Sequence, residues 1–176
     1  MPVLAALTVS VGLLAVVATW LFGLAPLADN HLQVWQAFIA WGCHFHSGGK
    51  VTGTRTAALC MSFGAVVGMV AVLLATGPFA GLGSFAAPIA VGLGASVIVL
   101  ASAIPLLATI PASVYGFASI AGLILLGTGQ TPTSALVPTI LSVVIGAAFG
   151  WVSEKFAGAL ARQDNAAVRA EADKLP

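Results

Sequence analysis

Residues 56–153 form a run of 98 positions without a single Asp, Glu, Lys or Arg. Within it, long apolar stretches are separated by short Gly, Pro and Thr breaks. A helix that meets water keeps one polar face, whereas a helix that meets lipid is apolar all round. About 20 apolar residues are needed to cross a hydrocarbon core of about 30 Å. The chain is therefore expected to be an integral membrane protein, and its charge is confined to Asp29, Lys50, Arg55, Glu154, Lys155 and the C-terminal tail. Whatever it does must be done mainly by neutral groups, histidines or backbone.

Composition agrees with this reading: 60% of residues are hydrophobic and 6% charged, and the mean hydropathy is +1.09. A length of 176 residues leaves room for one domain of five or six spans and none for a nucleotide-binding module. A net charge of +1 gives no reason to invoke nucleic acid. Residues 3–24 lack the basic start and the small-residue cleavage site of a signal peptide and read as a retained first span. Cys43 and Cys60 fall in or beside membrane segments and are expected to be reduced packing residues.

Six segments emerge, at about 3–24, 33–47, 54–76, 84–106, 111–126 and 133–156. The second has 15 residues, about 22 Å of helix, and the fifth is also short. The lengths thus run long, short, long, twice over. Both short segments place an aromatic before a glycine, Trp41-Gly42 and Tyr115-Gly116, 74 residues apart. The third and sixth segments carry Gly64-x-x-x-Gly68 and Gly146-x-x-x-Gly150, small-residue faces suited to helix packing in lipid. Three spans per half is odd, so two such halves must lie upside down relative to each other. The expected fold is an all-α polytopic membrane protein with six transmembrane segments in a 3+3 inverted repeat. Its halves are about 1–78 and 79–158 of a single transmembrane domain, 1–160, followed by a charged cytoplasmic tail, 161–176. Inverted repeats of this kind place their sites where short or interrupted segments meet.

With six crossings, Lys50 and Arg55 share one side with Lys155, Arg162, Arg169 and Lys174. The positive-inside rule makes that side, and both termini, cytoplasmic. Either short segment is open to being re-entrant.

The stretch Trp41-Gly42-Cys43-His44-Phe45-His46 is the most distinctive. A metal site is disfavoured, because His44 and His46 point about 200° apart on a helix and no acidic residue lies nearby in sequence. A histidine lining a pore and titrating near neutral pH is one reading; two histidines meeting water at the membrane interface is the other. The second short segment offers Thr109, Ser113, Tyr115 and Ser119, each of which, alone, more often bonds its own backbone. Together with Trp41 and His44, the residues Ser113, Tyr115 and Ser119 are the pore-lining candidates, and Trp41 meeting Tyr115 would form a constriction. Trp35 and Trp151 read as interface anchors. No nucleophile–base set, P-loop or dinucleotide loop is present, so neither an enzyme nor a cofactor is expected, and apart from Glu154 at a helix end no acidic residue lies within a span to couple an ion gradient.

The run Trp35-Gln36-Ala37-Phe38-Ile39-Ala40-Trp41-Gly42-Cys43-His44-Phe45-His46-Ser47-Gly48-Gly49-Lys50 is followed by Ile110-Pro111-Ala112-Ser113-Val114-Tyr115-Gly116-Phe117-Ala118-Ser119 and by Gly146-Ala147-Ala148-Phe149-Gly150. In that order these motifs resemble the YcdZ-like family of small bacterial inner-membrane proteins of unknown function, over about residues 1–160. The resemblance implies a bacterial inner-membrane location and no settled activity. A looser, architectural likeness is to bacterial urea and amide channels. The expected function is a passive channel or facilitator for a small neutral polar solute such as urea, a short amide, ammonia or water. The alternatives are a non-transporting scaffold or accessory subunit and an ion channel. The expected partners are the bilayer, the solute and further copies of the chain in a homo-oligomer.

Overall fold

The computed structural model describes residues 2–127 and 129–172, with side chains described through residue 162. Helix α1 is Val3–Phe22, α2 Ala25–Ala28, α3 Val34–His46, α4 Lys50–Thr76, α5 Ala86–Ala101, α6 Ile110–Leu125 and α7 Pro132–Ala172. No strand occurs among the described residues. Among the described residues four stretches are long and apolar enough to cross a membrane: Val3–Phe22, Lys50–Thr76, Ala80–Ala101 and Pro132–Arg162. Helices α3 and α6, with 13 and 16 residues, are about 20 and 24 Å long.

Local chemistry explains the ends. Pro26 and Pro111 lie in the first turns of α2 and α6, where the missing N–H costs nothing. Gly48, Gly49 and Lys50 all have positive φ, at 90°, 66° and 57°, and this left-handed turn reverses the chain between α3 and α4. The fourth segment is shorter than the sequence pattern suggests. Pro105 holds Ile104 extended, and the helix stops at Ala101 instead of 106. Three short elements were not anticipated: the single turn α2 and 3-10 stretches at Ala80–Phe85 and Pro105–Leu107. The last helix continues through 161–172 of the charged tail; residues 173–176, with Lys174, lie outside the described residues.

On the outer helices α1 and α5 the buried face is mostly small residues and the outward face mostly large ones. On α1, Ala6, Ser10 and Ala18 are buried while Val3, Leu4, Leu13, Val16 and Trp20 face outward. On α5, Ala86, Ala90, Gly94 and Ile98 are buried while Val91, Leu93, Val99 and Leu100 face outward. This inside-out arrangement is the one lipid favours, because lipid tails are as apolar as leucine and helix association then depends on close packing.

The closest packing is glycine against backbone. A Cβ on Gly64 of α4 would fall on the Ser113 carbonyl of α6, and one on Gly116 of α6 would fall on the Met61 carbonyl of α4. The same occurs between α7 and α3, where Gly146 lies against the Ala37 carbonyl. Gly68 packs on Ile120 and Phe117, and Gly150 on the His44 ring. The four glycines expected to serve helix packing are thus all used within the chain. Helix α4 also packs along α7, α5 leans on α4, and α1 leans on α7. Cys43 and Cys60 are free and share a buried cluster with Ala40, Met61, Ala112 and Val143.

These contacts predict opposite outcomes for different glycines. Gly116→Val and Gly146→Val should each lower unfolding stability in detergent by about 3 kcal/mol, the upper range of overpacking costs. Gly92→Ala, with open space at its Cβ position, should instead gain roughly 0.5–1 kcal/mol of helix stability. Equal stability of Gly116→Val and the parent chain would show that backbone approach is not what holds α4 to α6.

Candidate functional site

Among the described residues eight polar side chains are buried: Ser10, Gln36, His44, Ser113, Ser119, Thr139, Ser142 and Ser153. All but Ser113 and Ser119 belong to α1, α3 and α7, so the buried polarity is gathered on one side of the molecule. The facing stripes have helical spacing. On α7, Thr139, Ser142, Gly146, Gly150 and Ser153 recur every three or four residues; on α3, Gln36, Ala40 and His44 recur every four, with Ala37 and Trp41 beside them on the same face.

The seam between these stripes is closely bonded. Gln36 Nε2 donates to the Ser119 carbonyl at 3.0 Å and to Thr139 Oγ1 at 3.1 Å, joining α3 to α6 and α7. Because a carbonyl can only accept, the Ser119 contact sets the orientation of the amide. Gln36 Oε1 is buried without a partner. Ser142 Oγ donates to the Pro138 carbonyl at 2.8 Å and accepts the Gln33 N–H at 2.9 Å, which ties down the start of α3. Trp41 Nε1 donates to Ser153 Oγ at 2.9 Å, and its ring stacks on Phe149 and Phe38. Ser153 in turn donates to the Gly150 carbonyl at 2.8 Å, and its own carbonyl accepts from Ser10 Oγ at 2.7 Å.

The seam ends in a charged cluster. His44, fully buried, has Nε2 at 3.2 Å from Glu154 Oε2 and Nδ1 at 3.1 Å from Thr54 Oγ1. The same Glu154 oxygen accepts the Lys50 N–H at the start of α4, where the helix dipole favours a negative charge. The Glu154 carboxylate lies against Gly49, 3.0 Å from where a Cβ would stand. The turn therefore needs Gly49 both for its backbone angle and for the space.

Two recesses adjoin the seam, one at each end. One, of about 540 Å³, lies among Pro26, Asp29, His31, Gln130, Ser134 and Leu141. The other, of about 480 Å³, lies among Val3, Leu7, Phe45, Gly49, Glu154 and Gly158.

The five pore-lining candidates do not converge on one path between α3 and α6. Trp41 and His44 point into the α3–α7 seam. Ser113 is buried against α4, where Gly64 meets its carbonyl; its Oγ is without a hydrogen-bond partner at ordinary geometry, although the Cys60 thiol is a neighbour. Ser119 Oγ donates to the Tyr115 carbonyl of its own helix at 2.7 Å. Tyr115 stands edge-on to His46, their ring centroids 6.2 Å apart, and Trp41 has Phe38 and Phe149 as ring partners instead of Tyr115. The residues missed from sequence are Glu154, Thr139, Ser142, Ser153 and Ser10. The recurrence of Thr139, Ser142 and Ser153 with Gly146 and Gly150 on one face of α7 was the available signal. No group of three or more His, Cys, Asp or Glu able to hold a metal occurs among the described residues.

Long apolar helices with small-residue interiors and polar groups turned inward define an all-helical, membrane-embedded protein. The chain belongs to the family described as Protein of unknown function (DUF1097), whose model matches residues 8–158. No curated protein and no solved structure matches it.

The Trp41–Ser153 bond is open to a double-mutant cycle. Ser153→Ala leaves a buried indole N–H without an acceptor and should cost about 1–3 kcal/mol. Adding Trp41→Phe should recover about 1 kcal/mol of coupling. Additive effects of the two changes would mean that the bond contributes nothing.

Proposed function

We propose that this chain is a passive facilitator of a small neutral polar solute, such as urea, a short amide, ammonia or water, with its path along the α3–α7 seam. The observation that carries the reading is the pair of recesses at the two ends of that seam. Between them lie buried neutral donors and acceptors from Gln36, Thr139, Ser142, Trp41 and Ser153. Residues 137 and 157 of α7, one beside each recess, are about 30 Å apart along the helix, the thickness of a hydrocarbon core. The stretch between the two recesses is uncharged, which suits neutral solutes, since nothing there offsets the desolvation of an ion.

The architecture behind this reading is six crossings in two inverted halves. Its support is reciprocity in the packing. Helix α1 leans on α7 as α5 leans on α4, and α3 packs on α7 as α6 packs on α4. Gly146 meets Ala37 as Gly64 meets Ser113, and Gly150 meets His44 as Gly68 meets Ile120. The contacts Gln36–Ser119 and His46–Tyr115 run in opposite directions along α3 and α6, as two inverted elements require. In this register Trp41 is the counterpart of Phe117, two residues beyond Tyr115. The basic residues put both termini on the cytoplasmic side, and the family resemblance argues for a bacterial inner membrane. Since the Gly-x-x-x-Gly faces are occupied within the chain, a second copy in a homo-oligomer would dock on other faces.

A second reading, an accessory subunit that conducts nothing, is favoured by the packing of Gly146 on the Ala37 carbonyl and of Gly150 on His44, which closes the middle of the seam.

Stopped-flow reswelling of proteoliposomes separates the two. A facilitator should speed solute entry over empty vesicles, and Thr139→Leu, folded by circular dichroism, should return it to the empty-vesicle rate. No acceleration with any neutral solute would favour the accessory reading, and ion current would favour an ion channel. Labelling of cysteines introduced at Gly81 and Arg162 tests the topology: residue 81 should label from outside and residue 162 from the cytoplasm, and the reverse would overturn the orientation.

A further inference from the structure

We propose that His44 and Glu154, with Thr54, form a reversible proton-binding site at the end of the molecule that carries Lys50 and Lys155. A carboxylate can only accept, so the His44 nitrogen facing Glu154, Nε2, carries a hydrogen. Thr54 Oγ1 stands within reach of two acceptors, the Lys50 carbonyl at 3.0 Å and His44 Nδ1 at 3.1 Å. When His44 is neutral, the hydroxyl donates to the bare Nδ1. When a proton from water is added to the Nδ1 lone pair, Nδ1–H donates to the hydroxyl oxygen, and the hydroxyl turns its own hydrogen to the Lys50 carbonyl. No other bond changes. Both states are fully hydrogen-bonded with the same heavy-atom positions.

That property is uncommon for a buried imidazole, which ordinarily leaves one nitrogen unsatisfied in one of its two states at a cost of about 1–3 kcal/mol. Here the hydroxyl serves both states. The remaining surroundings fit. From α7, Glu154 supplies the one negative charge that faces the ring among the described residues, and Gly150 packs on it. From α4 come Thr54 and the Lys50 N–H, while the Lys50 and Arg55 side chains are exposed. On α3 itself, Phe45 meets the ring edge-on at 5.1 Å. Helix α1 brings only Val3 and Leu7 to the adjoining recess, and Lys155 lies over Trp151. Access is present as well, since the Glu154 side chain is 34% exposed and lines that recess. The site does not depend on whether the chain conducts solute.

Nitrogen-15 NMR of the full-length protein in nanodiscs tests this. His31 and His46 are both exposed, so replacing each by Asn leaves His44 as the single labelled histidine. We expect a reversible change from the neutral Nε2–H tautomer to the imidazolium while the fold persists. Glu154→Gln, which removes the facing charge, should move that transition roughly one pH unit towards acid. Thr54→Val, which leaves the Nδ1–H of the imidazolium without an acceptor, should keep the Nε2–H tautomer that Glu154 fixes but move the transition towards acid, and Thr54→Ser should leave it near its original position, so the test survives if the Glu154 variant does not fold. A His44 signal that stays constant over the whole pH range of the folded protein, a neutral Nδ1–H tautomer, or a transition unmoved by Glu154→Gln would each overturn the proposal.

Discussion

The close approach of two pairs of helices, α4 with α6 and α3 with α7, is what the rest of the structure depends on. In lipid there is no hydrophobic drive to bring one apolar helix against another, so separation is decided by how near the backbones can come. Gly64, Gly116 and Gly146 remove the Cβ at the points of contact and let each helix touch a neighbouring carbonyl. Dispersion contacts are individually small and fall off within about an ångström. A methyl group at any of these positions would therefore lose contact along the whole seam.

That spacing explains why the two pairs, alike in backbone, differ in chemistry. Between α4 and α6 the flanking residues include Met61, Ala65, Ile120 and Leu123, and the contact is largely apolar. Between α3 and α7 the corresponding stripes carry Gln36, His44, Thr139 and Ser153. At this separation the side chains bond directly across the seam, and a bilayer offers no water to replace a lost partner. Ser153 serves as the hub: it takes the Trp41 indole N–H, returns its hydroxyl to Gly150 and gives its carbonyl to Ser10, so one residue links α1, α3 and α7.

The membrane class and most segment boundaries were legible in the chain because lipid imposes a composition that does not depend on tertiary detail; the ends of the fourth and sixth segments were not, since one helix stops at Ala101 and the other runs on to Ala172. The shortness of the second and fifth segments was also legible, since length in residues converts directly to ångströms of helix. The site was less so. His44 and Trp41 stood out by type, but their partners did not. Glu154 is 110 residues from His44 and looked like an ordinary acid at a helix end, while Ser113 and Ser119 looked as suitable for a path as Ser153 does. Each serine can bond its own helix or reach across, and only the facing helix decides which.

The sequence by itself determined that this is a helical membrane protein whose apolar segments carry no charge from residue 56 to residue 153. Those properties follow from the transfer energy of each segment into lipid, which is a sum over residues. Only the tertiary structure decided that the polar groups gather on the α1–α3–α7 side, that the Gly48-Gly49 turn makes room for the Glu154 carboxylate, and that His44 sits between that carboxylate and Thr54. Those are statements about which faces meet, and they are set by helix rotation and by contacts a few ångströms across between residues far apart in the chain.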